Sequence, residues 1–233
     1  TEVVQKTYIC SFWKTCNMKE LFIRAISGAI YVFTLLAAIF FSPTSFLILF
    51  TLLGMICLCE FLKLIHLKSV VLYIFLVLFI YLFTYLQFDF YAIKLLLILS
   101  GFVNLFLFKD LLWVSMIPMF EKKKYVVTLL YLIAGFVFIT LIPFYNKDYS
   151  PYLIASVFVM VWANDIFAFL IGKYFGKRKL FERISPKKTI AGFLGGLVAS
   201  SVASFFIFKY LAIFSPLFWL GLAILISIMG PIG

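Results

Sequence analysis

Eight long apolar runs, separated by short breaks of charged, Pro or Gly residues, dominate the 233-residue sequence. A helix needs about 20 apolar residues to cross a bilayer, so runs of this length predict membrane-spanning helices. Hydrophobic residues make up 66% of the chain and charged residues 12%, which excludes an ordinary soluble domain and a disordered chain. We therefore predict an all-α fold, a polytopic transmembrane helical bundle with spans at 23–41, 45–62, 69–87, 92–108, 125–144, 151–172, 190–208 and 211–229.

The breaks between these runs divide the chain into regions. The sequence Ser-Pro-Thr-Ser at 42–45 is typical of a turn, so we expect the first two spans to form a hairpin. Met18 is a plausible native start, which would make the residues before it a leader. The predicted regions are an N-terminal cytoplasmic segment at 1–22 with the leader at 1–17, N-terminal transmembrane helices at 23–144, and a C-terminal transmembrane region at 151–233 with a basic loop at 173–189.

Lysine and arginine alternate strictly between the loops. Of these 20 residues, 17 lie in the N-terminal segment and in the loops after predicted spans 2, 4 and 6, and three lie in the intervening loops. Basic loops stay on the cytoplasmic side of a membrane. We therefore predict a multi-pass protein of the inner (plasma) membrane, with its N-terminus and basic loops in the cytoplasm. This rule also accounts for the net charge of +11 without nucleic acid as a partner.

Asn164 and Asp165 lie well inside the sixth apolar run. An ionisable group at that depth costs about 3 kcal/mol, so we expect Asp165 to face a polar cavity, a metal or a cation. Helical spacing places Gly172, Lys173 and Gly176 on the same face, which leads from the carboxylate to the basic loop. A structural pairing of Asp165 with a lysine is the alternative.

The segment Ser185-Pro186-Lys187-Lys188-Thr189 has the pattern of a helix start, with Ser185 as the N-cap and Pro186 at the first position. Two lysines in the first turn would oppose the helix dipole, so the pattern predicts a bound anion such as phosphate. The alternative is that positive charge accumulated here for topological reasons. Together with the carboxylate of the sixth run, the segment suits a polyphosphate substrate and a bridging metal.

Five glycines flank the basic loop. Two of them, Gly172 and Gly176, have the spacing of a small-residue helix-packing motif. The other three, Gly192, Gly195 and Gly196, would let the backbone approach either a ligand or a neighbouring helix closely. The sequence leaves both interpretations open.

The block from Asn164 to Gly196 resembles bacterial CDP-diacylglycerol synthases (phosphatidate cytidylyltransferases). Its pattern is N-D-x-x-A-x-L-x-G-x-x-F-G-K-x-K-L-x-x-x-I-S-P-K-K-T-x-x-G-x-x-G-G, and weaker similarity extends over about 19–233. The resemblance implies transfer of a cytidylyl group from CTP to phosphatidate, which gives CDP-diacylglycerol and pyrophosphate. It also implies Mg²⁺ as the cofactor with a monovalent cation as an optional second one, and a homodimer of chains with about nine spans.

The same resemblance implies roles for individual residues. Asp165 and Lys188 would be catalytic, and Asp165 would also face the metal. The residues 151–233 would then form a catalytic-type region. The substrate-binding residues would be Asn164, Lys173, Lys177, Ser185, Pro186, Lys187, Lys188, Thr189 and Gly192.

Two departures from the family pattern concern the site. Family members carry Trp-Glu-Gly after the Lys-Thr pair, whereas this chain has Ile190-Ala191-Gly192, so the acidic residue is replaced by Ala191. The family signature further downstream contains Lys-Asp, His-Gly-Gly and Asp-Arg-x-Asp, and the sequence stops at Gly233 before it. We therefore expect the main metal ligands beyond residue 233, and no turnover unless that segment is present.

Other functions stay open from the sequence. A transporter of anionic solutes would use the basic loop as a funnel, but it would need polar residues in several spans. Apart from Asn104, Asn164 and Asp165 the predicted spans carry almost none. A non-catalytic lipid-binding relative would account for the two departures. A CTP-dependent lipid-alcohol kinase is less compatible with the Ser-Pro-Lys-Lys-Thr segment.

Overall fold

The computed structural model describes residues 18–86, 89–113, 121–145, 148–181, 185–211 and 213–230. The predicted leader at 1–17 lies outside these residues. Helices dominate the described chain, which confirms the all-α prediction. The described residues form two compact units, one within residues 1–80 and 98–136 and the other within residues 81–97 and 137–233.

The helices follow the apolar runs along the chain. Up to residue 144 they are α1 (Met18–Phe41), α2 (Pro43–Leu64), α3 (Val71–Ile80) with a π-helical continuation (Tyr81–Tyr85), α4 (Phe90–Trp113), α5 (Glu121–Val127) with a π-helical continuation (Thr128–Ile133), and α6 (Ala134–Leu141) with a 3-10 turn (Ile142–Phe144). The remaining elements are α7 (Pro151–Phe175), β1 (Lys179–Phe181), β2 (Ser185–Thr189), α8 (Ile190–Leu211) and α9 (Pro216–Met229).

The apolar helices coincide with the eight predicted spans to within five residues at each end. Within the described residues, five helical segments are long and apolar enough to cross a membrane, and three apolar segments are shorter. The long ones are Pro43–Leu64, Phe90–Asp110, Lys123–Phe144, Pro151–Phe175 and Ile190–Leu211, and the short ones are Ile26–Phe41, Val71–Tyr85 and Pro216–Met229. The architecture is that of a multi-pass helical membrane protein.

The connection between α1 and α2 is a one-residue turn at Ser42. The Ser42 hydroxyl accepts a hydrogen bond from the Ser45 N–H at 3.1 Å, and the Ser45 hydroxyl accepts one from the Ser42 N–H at 3.1 Å. These reciprocal bonds form a capping box, and Pro43 occupies the first helical position, where it has no N–H to leave unpaired. The predicted hairpin of the first two spans is confirmed.

The core of the first unit consists of large side chains. Helix α2 buries Phe46, Phe50, Leu58 and Leu62 along one face. Gly54 interrupts this face, and a β-carbon there would lie 3.2 Å from the side chains of both Leu76 and Phe136. Apolar side chains of α3 and α6 thus fill the space above the glycine.

In the second unit, α7, α8 and α9 pack against one another. Towards the start of α9 the large side chain of Trp219 is buried in a cluster with Leu153 and Met160 of α7 and with Ala223. Further along α9 the buried residue is Ser227, and on α8 glycines and serines are buried. The same three helices therefore pack through large side chains at one end and through small and polar ones at the other.

The segment Ser185–Thr189 is a strand, so the predicted helix start at Ser185 is wrong. Strand β2 pairs antiparallel with β1, with Lys179 opposite Thr189 and Phe181 opposite Ser185. Helix α8 begins at Ile190, and Thr189 is its cap, because the Thr189 hydroxyl accepts a hydrogen bond from the Gly192 N–H at 3.1 Å. A proline in a two-stranded sheet is compatible with this strand because each strand has an unpaired edge.

Candidate active site

Small residues on α8 let α7 approach it closely. Gly192, Gly195 and Gly196 are buried. A β-carbon at position 192 would lie 2.6 Å from the carbonyl oxygen of Ala168, and one at position 196 would lie 2.6 Å from Oδ1 of Asn164. Both distances are shorter than van der Waals contact, so alanine would not fit at either position. Of the two interpretations of these glycines, the structure shows the close approach of a neighbouring helix.

Thr189 fills the space where α7 ends and α8 begins. A β-carbon at Gly172 would lie 3.0 Å from the Thr189 hydroxyl, and one at Gly176 would overlap the same side chain. Two amide hydrogens at the start of α8 are bonded within the protein, since the Ile190 N–H donates to the carbonyl of Arg178 at 3.0 Å and the Gly192 N–H donates to Thr189. The anion site was predicted at a helix start at Ser185, and the structure has strand β2 there.

Asp165 and Lys188 meet at the C-terminal end of α9. The Lys188 ammonium group donates a hydrogen bond to the carbonyl oxygen of Gly230 at 3.2 Å. A β-carbon at Gly230 would lie 3.9 Å from Oδ1 of Asp165 and 3.2 Å from Nδ2 of Asn164. The two residues predicted to be catalytic, one on helix α7 and one on strand β2, thus both lie near the end of helix α9.

The electrostatics of this junction explain why Lys188 is held there. The last carbonyls of a helix carry partial negative charge, and an ammonium group beside them is favourable by about 0.5 kcal/mol at an exposed site. Asp165 is exposed, and its Oδ1 accepts a hydrogen bond from Nδ2 of Asn164 at 3.2 Å. The junction therefore presents a carboxylate and an ammonium group that both lie near Gly230, an arrangement that can bind both a cation and a phosphate.

The structure does not bring all the predicted site residues together. Lys173 and Lys177 are exposed at the C-terminal end of α7, and the Lys173 ammonium lies 5.9 Å from the centre of the Phe169 ring. Ser185, Pro186 and Lys187 lie on β2, and their side chains fall outside what the structure describes. The predicted contacts of these residues, and of Thr189 and Gly192, with substrate stay predictions.

Sequence reasoning missed Ser227 and Ser200. The Ser227 hydroxyl donates to Oδ1 of Asn164 at 2.9 Å, and the hydroxyls of Ser227 and Ser200 are 2.9 Å apart. A signal for Ser200 exists in the sequence, because small residues recur at every fourth position of α8 and so lie on one helical face. These residues are Gly192, Gly196, Ser200 and Ser204.

The side chains at this junction fit a Mg²⁺ site in which the protein supplies one carboxylate ligand. The part of the chain that the structure describes contains no group of three or more His, Cys, Asp and Glu side chains that could hold a metal. Mg²⁺ keeps several water ligands and commonly takes only one or two carboxylates together with substrate phosphates. Asp165 can supply one such carboxylate.

Fold and site together define a multi-pass helical membrane protein with a charged junction at the C-terminal end of helix α9. The sequence model of the family described as "Cytidylyltransferase family" matches residues 22–233, and the chain belongs to this family.

Three similar bacterial proteins each carry the name phosphatidate cytidylyltransferase. The protein of Aquifex aeolicus (strain VF5) is 50% identical over 56 residues, which cover 24% of this chain and 22% of the relative. The protein of Staphylococcus aureus (strain COL) is 37% identical over 102 residues, which cover 42% of this chain and 37% of the relative. The protein of Haemophilus influenzae (strain Rd) is 40% identical over 83 residues, which cover 30% of this chain and 29% of the relative. The chain thus spans between a fifth and two fifths of these relatives' length. No solved structure matches it.

Proposed function

We propose that this protein transfers the cytidylyl group of CTP to phosphatidate. In this reaction a phosphate oxygen of the lipid attacks the α-phosphorus of CTP and forms a new P–O bond. The bond between the α-phosphorus and the oxygen that bridges to the β-phosphate breaks, and pyrophosphate leaves with the electron pair. The products are CDP-diacylglycerol and pyrophosphate. The names of the similar bacterial proteins and the family support this choice.

The observation that carries the proposal is the meeting of Asp165 and Lys188 at Gly230. Substrates that both bear phosphates repel each other, so the reaction depends on positioning and on neutralising charge. In the proposed site the Lys188 ammonium stabilises negative charge that develops on the phosphates. Lys187, Ser185 and Thr189 neighbour it on the same strand and bind the nucleotide or lipid phosphate.

Mg²⁺ is the proposed cofactor, and when bound it would neutralise charge on the phosphates. Asp165 would contribute a ligand, and Asn164 would hold that carboxylate by its hydrogen bond. Lys173 and Lys177 would line the mouth of the site, where their exposed positive charges attract CTP.

The site is proposed to face the cytoplasm. The basic loop that contains β1 and β2 carries the largest group of Lys and Arg residues in the chain, and such loops stay on the cytoplasmic side. We place the protein in the inner membrane, with a cytoplasmic N-terminus and no nucleic-acid partner. A homodimer is the proposed assembly.

The first test is turnover by the full-length protein in liposomes that contain phosphatidate, with radiolabelled CTP and Mg²⁺. We expect label to enter the lipid fraction, and Asp165→Asn and Lys188→Gln each to lower kcat/KM by about a hundred-fold, as loss of one preorganised electrostatic group does. Asp148→Asn and Lys209→Gln change the same charges outside the site and serve as matched controls with unchanged rates.

Other outcomes would contradict the proposal in distinguishable ways. Binding of phosphatidate vesicles without consumption of CTP would indicate a non-catalytic lipid-binding relative. Flux of an anionic solute across the liposome membrane without turnover would indicate a transporter. Equal rates for the Asp165 and control variants would show that the junction is not the site of the reaction.

A further inference from the structure

A continuous series of hydrogen bonds joins the interior of the second unit to Asp165. The hydroxyls of Ser200 on α8 and Ser227 on α9 are 2.9 Å apart. The Ser227 hydroxyl lies 2.9 Å from Oδ1 of Asn164 on α7, and Nδ2 of Asn164 lies 3.2 Å from Oδ1 of Asp165. Three helices contribute to this series, and each link connects a side chain to a side chain.

The chemistry of the four groups gives the series a single direction. A carboxylate only accepts hydrogen bonds, so the Asn164 amide must turn its NH₂ group towards Asp165 and its oxygen towards Ser227. Ser227 must then donate to that oxygen. Having used its one hydrogen, Ser227 can only accept from Ser200. Every donor in the series therefore points towards Asp165.

Competing acceptors do not reverse this direction. The carbonyl of Ala223 lies 2.9 Å from the Ser227 hydroxyl and 3.4 Å from that of Ser200, and the carbonyl of Leu197 lies 3.1 Å from the Ser200 hydroxyl. Both carbonyls already belong to the regular hydrogen bonding of their own helices, where each carbonyl accepts the amide four residues on. The oxygen of the Asn164 side chain has no such backbone partner, and it depends on Ser227.

The surroundings make the series stronger than its individual bonds suggest. Ser200 is 0%, Ser227 1% and Asn164 5% exposed, so water does not compete for these groups. In a region of low dielectric, hydrogen bonds that point the same way polarise one another. Gly196 leaves room for the Asn164 side chain, because a β-carbon at position 196 would lie 2.6 Å from Oδ1 of Asn164.

We propose that Ser200 and Ser227 are positioning residues that hold the Asp165 carboxylate in its working orientation through Asn164. This assignment rests on the proposed function, in which Asp165 is part of the site. The two serines contact neither substrate. Their effect reaches the reaction through the amide of Asn164, and it fixes which way that amide faces.

The test uses the side-chain amide of Asn164 as a reporter that does not require activity. The 233 residues contain four asparagines, so ¹⁵N-asparagine labelling of the full-length protein in nanodiscs yields a small set of side-chain amide signals. The signal lost in Asn164→Asp is that of Asn164. We expect Ser227→Ala to shift this signal, and Ser200→Ala to shift it as well, because Ser227 links Ser200 to Asn164.

Ser204→Ala is the matched control. Ser204 lies on α8 with Ser200, is 3% exposed, and donates its hydrogen bond locally to the carbonyl of Ser201. The Ser204→Ala variant therefore loses a hydroxyl that is similarly buried but lies outside the series, and we expect the Asn164 signal to stay unchanged. An unchanged signal in Ser200→Ala, or an equal shift in Ser200→Ala and Ser204→Ala, would overturn the proposal.

A kinetic measurement separates this proposal from the proposed function. We expect Ser200→Ala to lower kcat about five-fold, the factor for one net hydrogen bond, with KM for CTP unchanged. If the amide signal shifts as expected while the wild-type protein shows no cytidylyl transfer, the series exists and the proposed function is wrong. If transfer occurs and Ser200→Ala changes neither the signal nor kcat, the positioning role is wrong and the proposed function stands.

Discussion

Helices α2 and α8 are both 22 residues long and both apolar enough to cross a membrane, yet they bury opposite kinds of residue. Helix α2 buries phenylalanine and leucine, whereas α8 buries glycine and serine. The two buried sets are Phe46, Phe50, Gly54, Leu58 and Leu62 in α2, and Gly192, Gly195, Gly196, Ser200 and Ser204 in α8.

The comparison shows that overall hydropathy and the buried face carry different information. Hydropathy determines whether a helix resides in the bilayer, and in this respect α2 and α8 are alike. The size of the buried side chains determines how closely a neighbouring helix can approach, and small residues let backbones come into contact. Of these two helices, only α8, with its small buried residues, can bring polar groups of three helices within hydrogen-bonding distance.

The largest expected effect comes from adding bulk to the small-residue face. Gly192→Val would place side-chain atoms against the carbonyl of Ala168, which already lies 2.6 Å from the β-carbon position. We expect a loss of about 5 kcal/mol in the free energy of unfolding, because the whole α7–α8 contact must open. Thermal unfolding in detergent measures this loss.

Gly221→Val is the control for that experiment. Gly221 lies on α9 of the same unit, and a β-carbon there meets nothing within 4 Å. We expect its unfolding temperature to match that of the wild type. Equal destabilisation by both variants would mean that glycine content, and not the close contact at Gly192, stabilises this unit.

A cavity in the large-residue face is expected to have the next largest effect. Phe46 is 0% exposed, and Phe46→Ala should lower the free energy of unfolding by about 3 kcal/mol through lost packing. Phe33→Ala removes a phenylalanine that is 74% exposed on α1, and we expect almost no change. The comparison would fail if the two variants were equally stable in the same unfolding assay.

The smallest expected effect concerns the turn that joins α1 and α2. Ser42→Ala removes the acceptor for the Ser45 N–H, and we expect a loss of about 1 kcal/mol. Ser42→Asn keeps an acceptor at the cap and should restore most of that loss. Chemical unfolding of both variants tests the cap. If Ser42→Asn were no more stable than Ser42→Ala, the loss would belong to another contact of Ser42.

Much of this protein follows from local sequence patterns. Continuous apolar runs determined the helices and their positions, because insertion into a bilayer depends on the length and polarity of each run by itself. The turn at Ser42 also followed from the local sequence. So did the importance of Asp165, since a carboxylate inside an apolar run is costly wherever the helix lies. The family resemblance rests on residues that are close in sequence.

Tertiary structure decided what depends on partners distant in sequence. The segment Ser185–Thr189 has local features of a helix start, but pairing with β1 makes it a strand and moves the cap to Thr189. Glycine at 192 and 196 is compatible with a ligand or a helix, and only the structure shows that α7 approaches both positions closely. The approach of Asp165 and Lys188 to Gly230 requires two helices and a strand, and the hydrogen bonds from Ser200 through Ser227 require three helices at once. Hydrogen bonds and close contacts act over only a few ångströms, so no pattern along one helix determines which groups of another will lie within that range.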